Sequence, residues 1–252
     1  MEPRRYRCQR VKSPIVIDGS MSDSAWADLP WSDDFVDITG QDELKPHFRT
    51  RVKMGWDDEF FYVGAELEEP HVWGTITKKN AVMFEDNDFE VFIDPDCDGL
   101  NYYEFEINAL GSIWELSLPK PYREGGIPVL GCNLDGLKSA VHVRGSLNNP
   151  DDLDEAWSVE IAFPWSELQK YHRERQSPPQ PGDSWKINFS RVQWEHDVVD
   201  GKYVRIPPHG TPLAESLNPE EQEHPENNWV WSPQGAVNMH LPLRWGVVEF
   251  CE

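Results

Sequence analysis

The sequence predicts an all-β chain: a two-sheet antiparallel β-sandwich, immunoglobulin-like or jelly-roll-like, with long loops and one or two short helices. Three observations predict it. Short runs rich in Val, Ile, Phe, Tyr and Trp are separated by turn residues along nearly the whole chain. Several runs alternate apolar and polar residues with period two, the pattern of a strand with one buried face. The strand–helix alternation of a dinucleotide fold is missing, as are a Gly-rich phosphate loop, a G-x-S-x-G elbow and H-E-x-x-H. The 252 residues show no internal repeat and no second set of core elements, so 1–252 reads as a single domain.

The elements follow in order. PIVIDG (14–19) opens the domain, and SMSDSAWADL adds a helical turn or two with Ser22 or Asp23 as N-cap. RTRVKMGW alternates Val52, Met54 and Trp56 against Arg51, Lys53 and Gly55, and the turn DDE leads into FFYVGAEL (60–67). DFEVFID (88–94) and NYYEFEINALG (101–111) pair around PDCDGL, and SIWELSL (112–118) continues the meander. LKSAVHVRGSL (137–147), AWSVEIAFPW (156–165) and SWKINFSRVQW (184–194) follow, and RWGVVEF (244–250) closes the chain. PWSELQKYHRERQ is the better helix, with Ser166 as cap, Glu167 complementing the dipole and Leu168 as apolar anchor. The polar, Pro-rich stretches 176–183 and 207–228 read as long loops, and loops of that length are usually functional or mobile.

Composition narrows the partners. At 38% hydrophobic and 12% aromatic the chain fills a core and is no disordered acidic tail. A net charge of −22 repels phosphate backbones and anionic lipid, which argues against nucleic acid and membrane partners and leaves neutral polar ligands and cations. No run approaches the roughly 20 apolar residues of a membrane span. MEPRRYRCQR is followed by no signal-peptide core, so the protein is expected to be cytoplasmic, or secreted or periplasmic if an export signal has been removed. Cys8, Cys97, Cys132 and Cys251 lack C-x-x-C spacing, against a thiolate zinc site. Pairing of the terminal strands makes a Cys8–Cys251 bridge feasible; free thiols are the alternative.

The densest chemistry is FEDNDFEVFIDPDCDG (84–99), with seven carboxylates and no Lys or Arg. Strand alternation points Phe89, Val91 and Ile93 to the core and Asp88, Glu90, Phe92 and Asp94 to the other face. In the partner strand Tyr102, Glu104, Glu106 and Asn108 share that second face. Carboxylates accept paired hydrogen bonds from vicinal hydroxyls and aromatic rings stack on sugar C–H surfaces, so the face suits carbohydrate; a solvated sheet face is the alternative. Glu85, Asp86 and Asp88 read as a solvated strand entry or the rim of a site. Asp94, Asp96 and Asp98 occupy the first, third and fifth places of a calcium-type loop with Gly99 sixth. Phe105 stands where an EF-hand needs Glu, which leaves a Ca2+-stabilised hairpin turn or a polar turn with local hydrogen bonds. A glycosidase needs two carboxyls about 5–10 Å apart across a bond. Glu90 with Glu104 or Glu106 meets that distance, but side by side on an open face, which favours binding over hydrolysis.

Twelve tryptophans are many for this length. Trp26, Trp56, Trp157, Trp165, Trp185 and Trp245 fall on core elements, and Trp231 is expected to pack. Trp73, Trp194 and Trp229 stand on loops or strand ends and are candidate stacking platforms or lids. Arg191 lies on a strand that reaches the same rim, where it contacts ligand or forms a structural ion pair.

Several phrases, in order, resemble carbohydrate-binding module family 9. IDGSMSDSAW (17–26) resembles its I-D-G-x-x-D-x-x-W, and WDDEFFYVGAELEEP (56–70) its W-D-x-x-x-L-Y-V segment. NDFEVFIDPD (87–96) resembles its D-x-V-E-I-F-I-D, and 102–115 and RWGVVEF also fit. The resemblance implies a two-sheet sandwich related to sugar- and haem-binding domains, non-catalytic carbohydrate binding in polysaccharide or glycan catabolism, and bound calcium. It assigns Glu90 to sugar contact, puts Phe84 where a first sandwiching Trp stands and places Asn108 at a polar position of the next strand. Glu106 occupies the place of a ligand-binding Arg. The second sandwiching Trp aligns near Met239–His240, with Trp229 and Trp194 the nearest indoles. Two further readings remain: an enzyme, or the accessory domain of an enzyme, acting on glycosyl bonds, and a haem module ligated by Met54, Met83, Met239 or His240, which is disfavoured.

Overall fold

The computed structural model describes residues 2–41, 44–174, 177–207, 209 and 226–252. Its strands are β1 (Arg5–Arg10), β2 (Val36–Asp37), β3 (Thr50–Trp56), β4 (Phe60–Glu68), β5 (Asp88–Asp94), β6 (Tyr102–Asn108), β7 (Ile113–Leu118), β8 (Val129–Leu130), β9 (Lys138–Arg144), β10 (Ala156–Pro164), β11 (Ser184–Gln193), β12 (Glu195–Val199), β13 (Lys202–Ile206), β14 (Asn227–Val230) and β15 (Gly246–Cys251). Two helices, α1 (Ser24–Ala27) and α2 (Trp165–Leu168), are one turn each. None is long and apolar enough to cross a membrane among the described residues.

The β-sandwich expected from the sequence forms, but from one curled sheet. Its hydrogen-bonded order is β8-β7-β6-β5-β11-β15-β1-β3-β4-β10-β9, with β14 beside β11 and β2, and a separate β12–β13 hairpin. The wall β7-β6-β5-β11 faces the wall β3-β4-β10-β9. Between them lie Phe89, Val91 and Ile93 of β5, Phe105 and Ile107 of β6, Phe189 of β11, and Val159, Ile161 and Phe163 of β10. Period-two alternation puts all of these on the inner face.

The terminal strands join the walls. β1 runs parallel to both β15 and β3, so the sheet is mixed and not wholly antiparallel. Cys8 pairs across from Phe250 and Gln9 from Cys251, one step out of register, and all four cysteines are free thiols.

Three local expectations change. PIVIDG is no strand; it is an extended lead into a turn at Asp18–Ser20. α1 starts after Asp23, whose carboxylate accepts from the Val16 N–H (2.9 Å) and caps nothing. α2 starts at Trp165 with Pro164 before it, so Ser166 is inside the helix and no side chain caps it. Of the long loops, residues 176, 208 and 210–225 lie outside the described residues.

Candidate functional site

The outer face of β5, β6, β7 and β11 carries the site. Register sets it out in three rows across the sheet. Trp114, Glu106, Glu90 and Ser190 stand side by side, as do Leu116, Glu104, Phe92 and Asn188, and as do Asn108, Asp88 and Val192. The chain from Asn227 to Trp245 and the turn at Met83–Glu85 fold over this face. Tertiary covering therefore buries both faces of β5 and β6, where alternation by itself leaves one open.

A pocket of about 360 Å³ remains beneath the cover. Phe84, Trp114, Tyr122, Phe92 and Leu116 give it apolar walls, Glu90, Glu104, Glu106 and Asn228 give it polar groups, and Met239 and His240 lie across from them. Phe84 and Trp114 tilt toward each other with ring centroids 6.3 Å apart. His240 accepts or donates at Nδ1 to the Tyr102 hydroxyl (3.0 Å), and its burial pulls it down to about 3, so it is neutral. A larger opening of about 630 Å³, from Arg4 to Pro233, has mixed charges and none of the orphaned buried side-chain atoms found beneath the first pocket.

The acids of this floor are deeply buried. Carboxylate oxygens of Asp88, Glu90 and Glu106 lie within 4.8 Å of one another. Both oxygens of Asp88, Oε2 of Glu104 and Oε2 of Glu106 have no donor among the described residues. Burial, and then the charges of their acidic neighbours, pushes Asp88, Glu104 and Glu106 well above the usual carboxylate range. Burial likewise raises Glu90 to about 7.

A pH dependence follows. An acid whose folded value is raised holds its proton in the native state when the unfolded chain has lost it, so stability falls as pH rises across that window. For Glu90 the window runs from its ordinary value near 4.5 to about 7. Calorimetry should show the melting temperature falling between pH 5 and pH 8, with Glu90 contributing on the order of 3 kcal/mol. The fall should be smaller in Glu90→Gln; an equal fall would remove Glu90 as its source.

The structure brings Phe84, Glu90 and Glu106 of the sequence-predicted site together and sends the others elsewhere. Asn108 donates to the Ile76 carbonyl (2.8 Å) and Asp86 (2.9 Å) and accepts from the Leu110 and Ser112 N–H groups, so its amide is committed to the protein. Asp86 is not a solvated rim acid: it accepts from the N–H groups of Thr75 and Ile76 as well. Arg191 points into the sandwich, where its guanidinium reaches Glu69 (3.0 Å), Thr50, Gln193 and the Glu68 carbonyl and lies 5.1 Å from the Trp229 ring. Burial pulls it down to about 10 against the attraction of Glu69. Trp229 is thus a core ring. Trp73 stacks on Tyr203 and is buried. Trp194 is buried behind Phe84, donating to its carbonyl (2.8 Å), and is covered by Arg205 at 4.1 Å.

In the calcium-type turn protein donors engage all three carboxylates, and only Asp94 Oδ1 is buried without a donor among the described residues. Asp98 is paired with the Arg173 guanidinium and caps the Leu100 N–H, Asp96 accepts from the Arg173 N–H (3.0 Å), and Asp94 accepts from the Gly99 N–H (2.8 Å). The three carboxylates are spread among protein donors and do not converge. For haem, Met54 is sealed in the core, and His240 is held by Tyr102.

Sequence reasoning missed Trp114 and Tyr122 as site groups, and it read Asp88 as a strand entry or rim acid where the structure buries it behind Glu90 and Glu106. Trp114 was within reach, since a residue opposite Glu106 in the β6–β7 hairpin must share its face. Tyr122 follows β7 in a short 3-10 turn, and nothing local announces its direction.

Comparison with known proteins agrees with this architecture. Residues 17–119 match the family described as carbohydrate family 9 binding domain-like. Exoglucanase XynX of Acetivibrio thermocellus is 26% identical over 153 residues, 61% of this chain; the match spans 12% of that enzyme's length. A protein of Bacteroides uniformis assigned provisionally to carbohydrate binding superposes with a TM-score of 0.66 at 15% identity, covering 99% of this chain and 100% of that one. A family 9 carbohydrate-binding module of Caldicellulosiruptor kristjanssonii in complex with cellotriose superposes with a TM-score of 0.57 at 15% identity, over 98% of this chain and 94% of its own. The same organism's module in complex with glucose gives 0.55 at 15% identity, over 97% and 95%. At this identity the solved structures bear on the fold.

Proposed function

From the family 9-like signature of residues 17–119 and the pocket built on β5 and β6, we propose that the chain is a non-catalytic carbohydrate-binding domain of polysaccharide breakdown. One observation carries the reading: a sugar-sized pocket has aromatic rings on its walls and carboxyl groups on its floor. A pyranose has the matching division, with C–H faces that pack on Phe84, Trp114 and Tyr122 and hydroxyls that reach Glu90, Glu104, Glu106 and Asn228. Glu90 of β5 stands beside Glu106 of β6, with Glu104 two places along β6, an arrangement for gripping one ring and not for flanking a scissile bond. The partial match to an exoglucanase supports a place beside catalytic domains.

Calorimetric titration against soluble oligosaccharides tests this. Trp114→Ala should weaken binding about tenfold, the scale of one lost ring-stacking contact with its buried area. Melting should be little changed, because Trp114 is half-buried on the outer face. A glycan array negative for neutral and charged saccharides alike would overturn the reading, and turnover of chromogenic glycosides would move it to hydrolysis.

A further inference from the structure

Resting on the carbohydrate reading, we propose that the pocket selects a cationic sugar: a ring bearing a protonated primary amine, as in a deacetylated amino-sugar polymer. Glu90, Glu104 and Glu106 line the pocket from β5 and β6, Asp88 stands behind Glu90 and Glu106 with an oxygen within 4.8 Å of theirs, and among the described residues no lysine or arginine lines the pocket. The remaining lining groups that titrate do not supply the missing positive charge: Glu226 is acidic, Tyr122 is raised by burial, and His240 is neutral.

The second observation is the set of orphaned oxygens. Oε2 of Glu104 and Oε2 of Glu106, in residues 4% and 1% exposed that line the pocket, are buried without a donor among the described residues, as are both oxygens of Asp88 behind them. Buried acceptors are normally satisfied, and leaving them unpaired is costly. The two orphaned oxygens on the pocket floor, with the Glu90 carboxyl beside them, call for several donors from one small group. An ammonium brings three N–H donors and a full positive charge, whereas a neutral hydroxyl brings one donor and no charge.

The walls agree. Phe84, Trp114 and Tyr122 line the same volume, and aromatic ring faces attract a desolvated cation. A bare divalent ion would use the carboxylates but leave a volume of about 360 Å³ and its aromatic lining unexplained. The net charge of −22 adds a long-range field that draws cations in. Entry of an ammonium would also let the raised acids ionise, so binding should expel protons.

Titration calorimetry of the full chain at pH 6.5 decides the matter, with glucosamine trimer, its fully N-acetylated counterpart and cellotriose as probes, in two buffers of different ionisation heat. The amine trimer is expected to bind at least about tenfold more tightly than either neutral trimer, to weaken as salt rises and to release protons. Glu106→Gln and, separately, Glu104→Gln should bring the ratio close to one, with melting confirming that each variant is folded. Equal or tighter binding of the neutral trimers would overturn the amine proposal and leave carbohydrate binding standing. Binding of none of the three, or of Mg2+ or Ca2+ alone, would overturn the amine proposal; the glycan array then decides the broader reading separately.

Discussion

Glu160→Ala is expected to lower stability by about 3–5 kcal/mol, the usual cost of breaking a buried charged network. Glu160 is fully buried on β10, and its carboxylate accepts from the N–H groups of Asp18 (2.8 Å), Gly19 (2.6 Å) and Met21 (3.1 Å) and from the Trp26 indole (2.7 Å). The segment IDGSMSDSAW is therefore a loop wrapped around one carboxylate. Gly19 takes φ +87°, and a Cβ there would lie 2.6 Å from the Val141 carbonyl carbon, so glycine is required at that step. Alanine at 160 would orphan all four donors at once. For a chain of this size the melting temperature should fall by about 10 °C in scanning calorimetry. Glu160→Gln, which keeps one acceptor oxygen, should lose less. A change under 1 °C in the alanine variant would show that water replaces the carboxylate.

Arg191→Ala should cost a similar amount, about 3–5 kcal/mol, because it leaves the Glu69 carboxylate buried without its cation. Removing the guanidinium also strips hydrogen bonds from Thr50, Gln193 and the Glu68 carbonyl and withdraws packing from Trp229. The paired replacement Arg191→Met with Glu69→Leu should recover much of the loss, since an apolar pair needs no charge compensation. Urea unfolding of the two single variants and the double variant measures this. If Arg191→Ala instead left the unfolding midpoint unchanged and abolished saccharide binding, Arg191 would be a ligand residue after all.

The contrast between Arg191 and Glu90 shows why the site was only partly legible. They lie on adjacent strands, with Arg191 opposite Phe89 and Glu90 opposite Ser190. Strand periodicity places Glu90 on the outer face and Phe89 on the inner one, and the structure agrees. The same rule puts Arg191 with Phe89 on the inner face. A charge there contradicts the expected apolar lining, so the rim was the natural reading. Only the distant Glu69, brought in at the end of β4, makes the inner placement affordable.

Tryptophan shows the same limit. Trp194 and Trp229 look like free rings because local sequence marks them as strand ends or loop neighbours. Both are buried, one under Arg205 and the other between Arg191 and Phe48. The rings that do face the pocket are Trp114, which hairpin register implies, and Tyr122, which it does not.

By itself the sequence determined the strands, their inner faces, the hairpin that sets Glu90 beside Glu106, and the family 9-like resemblance. Those follow from short-range rules, namely period-two alternation and turn chemistry. Tertiary structure decided that β1 closes the sheet in parallel with β15, that the outer face is roofed by residues 227–245, and that the acids beneath it are buried. These depend on contacts between residues more than a hundred positions apart, and burial, which sets the charge state of an acid, is a property of the whole fold.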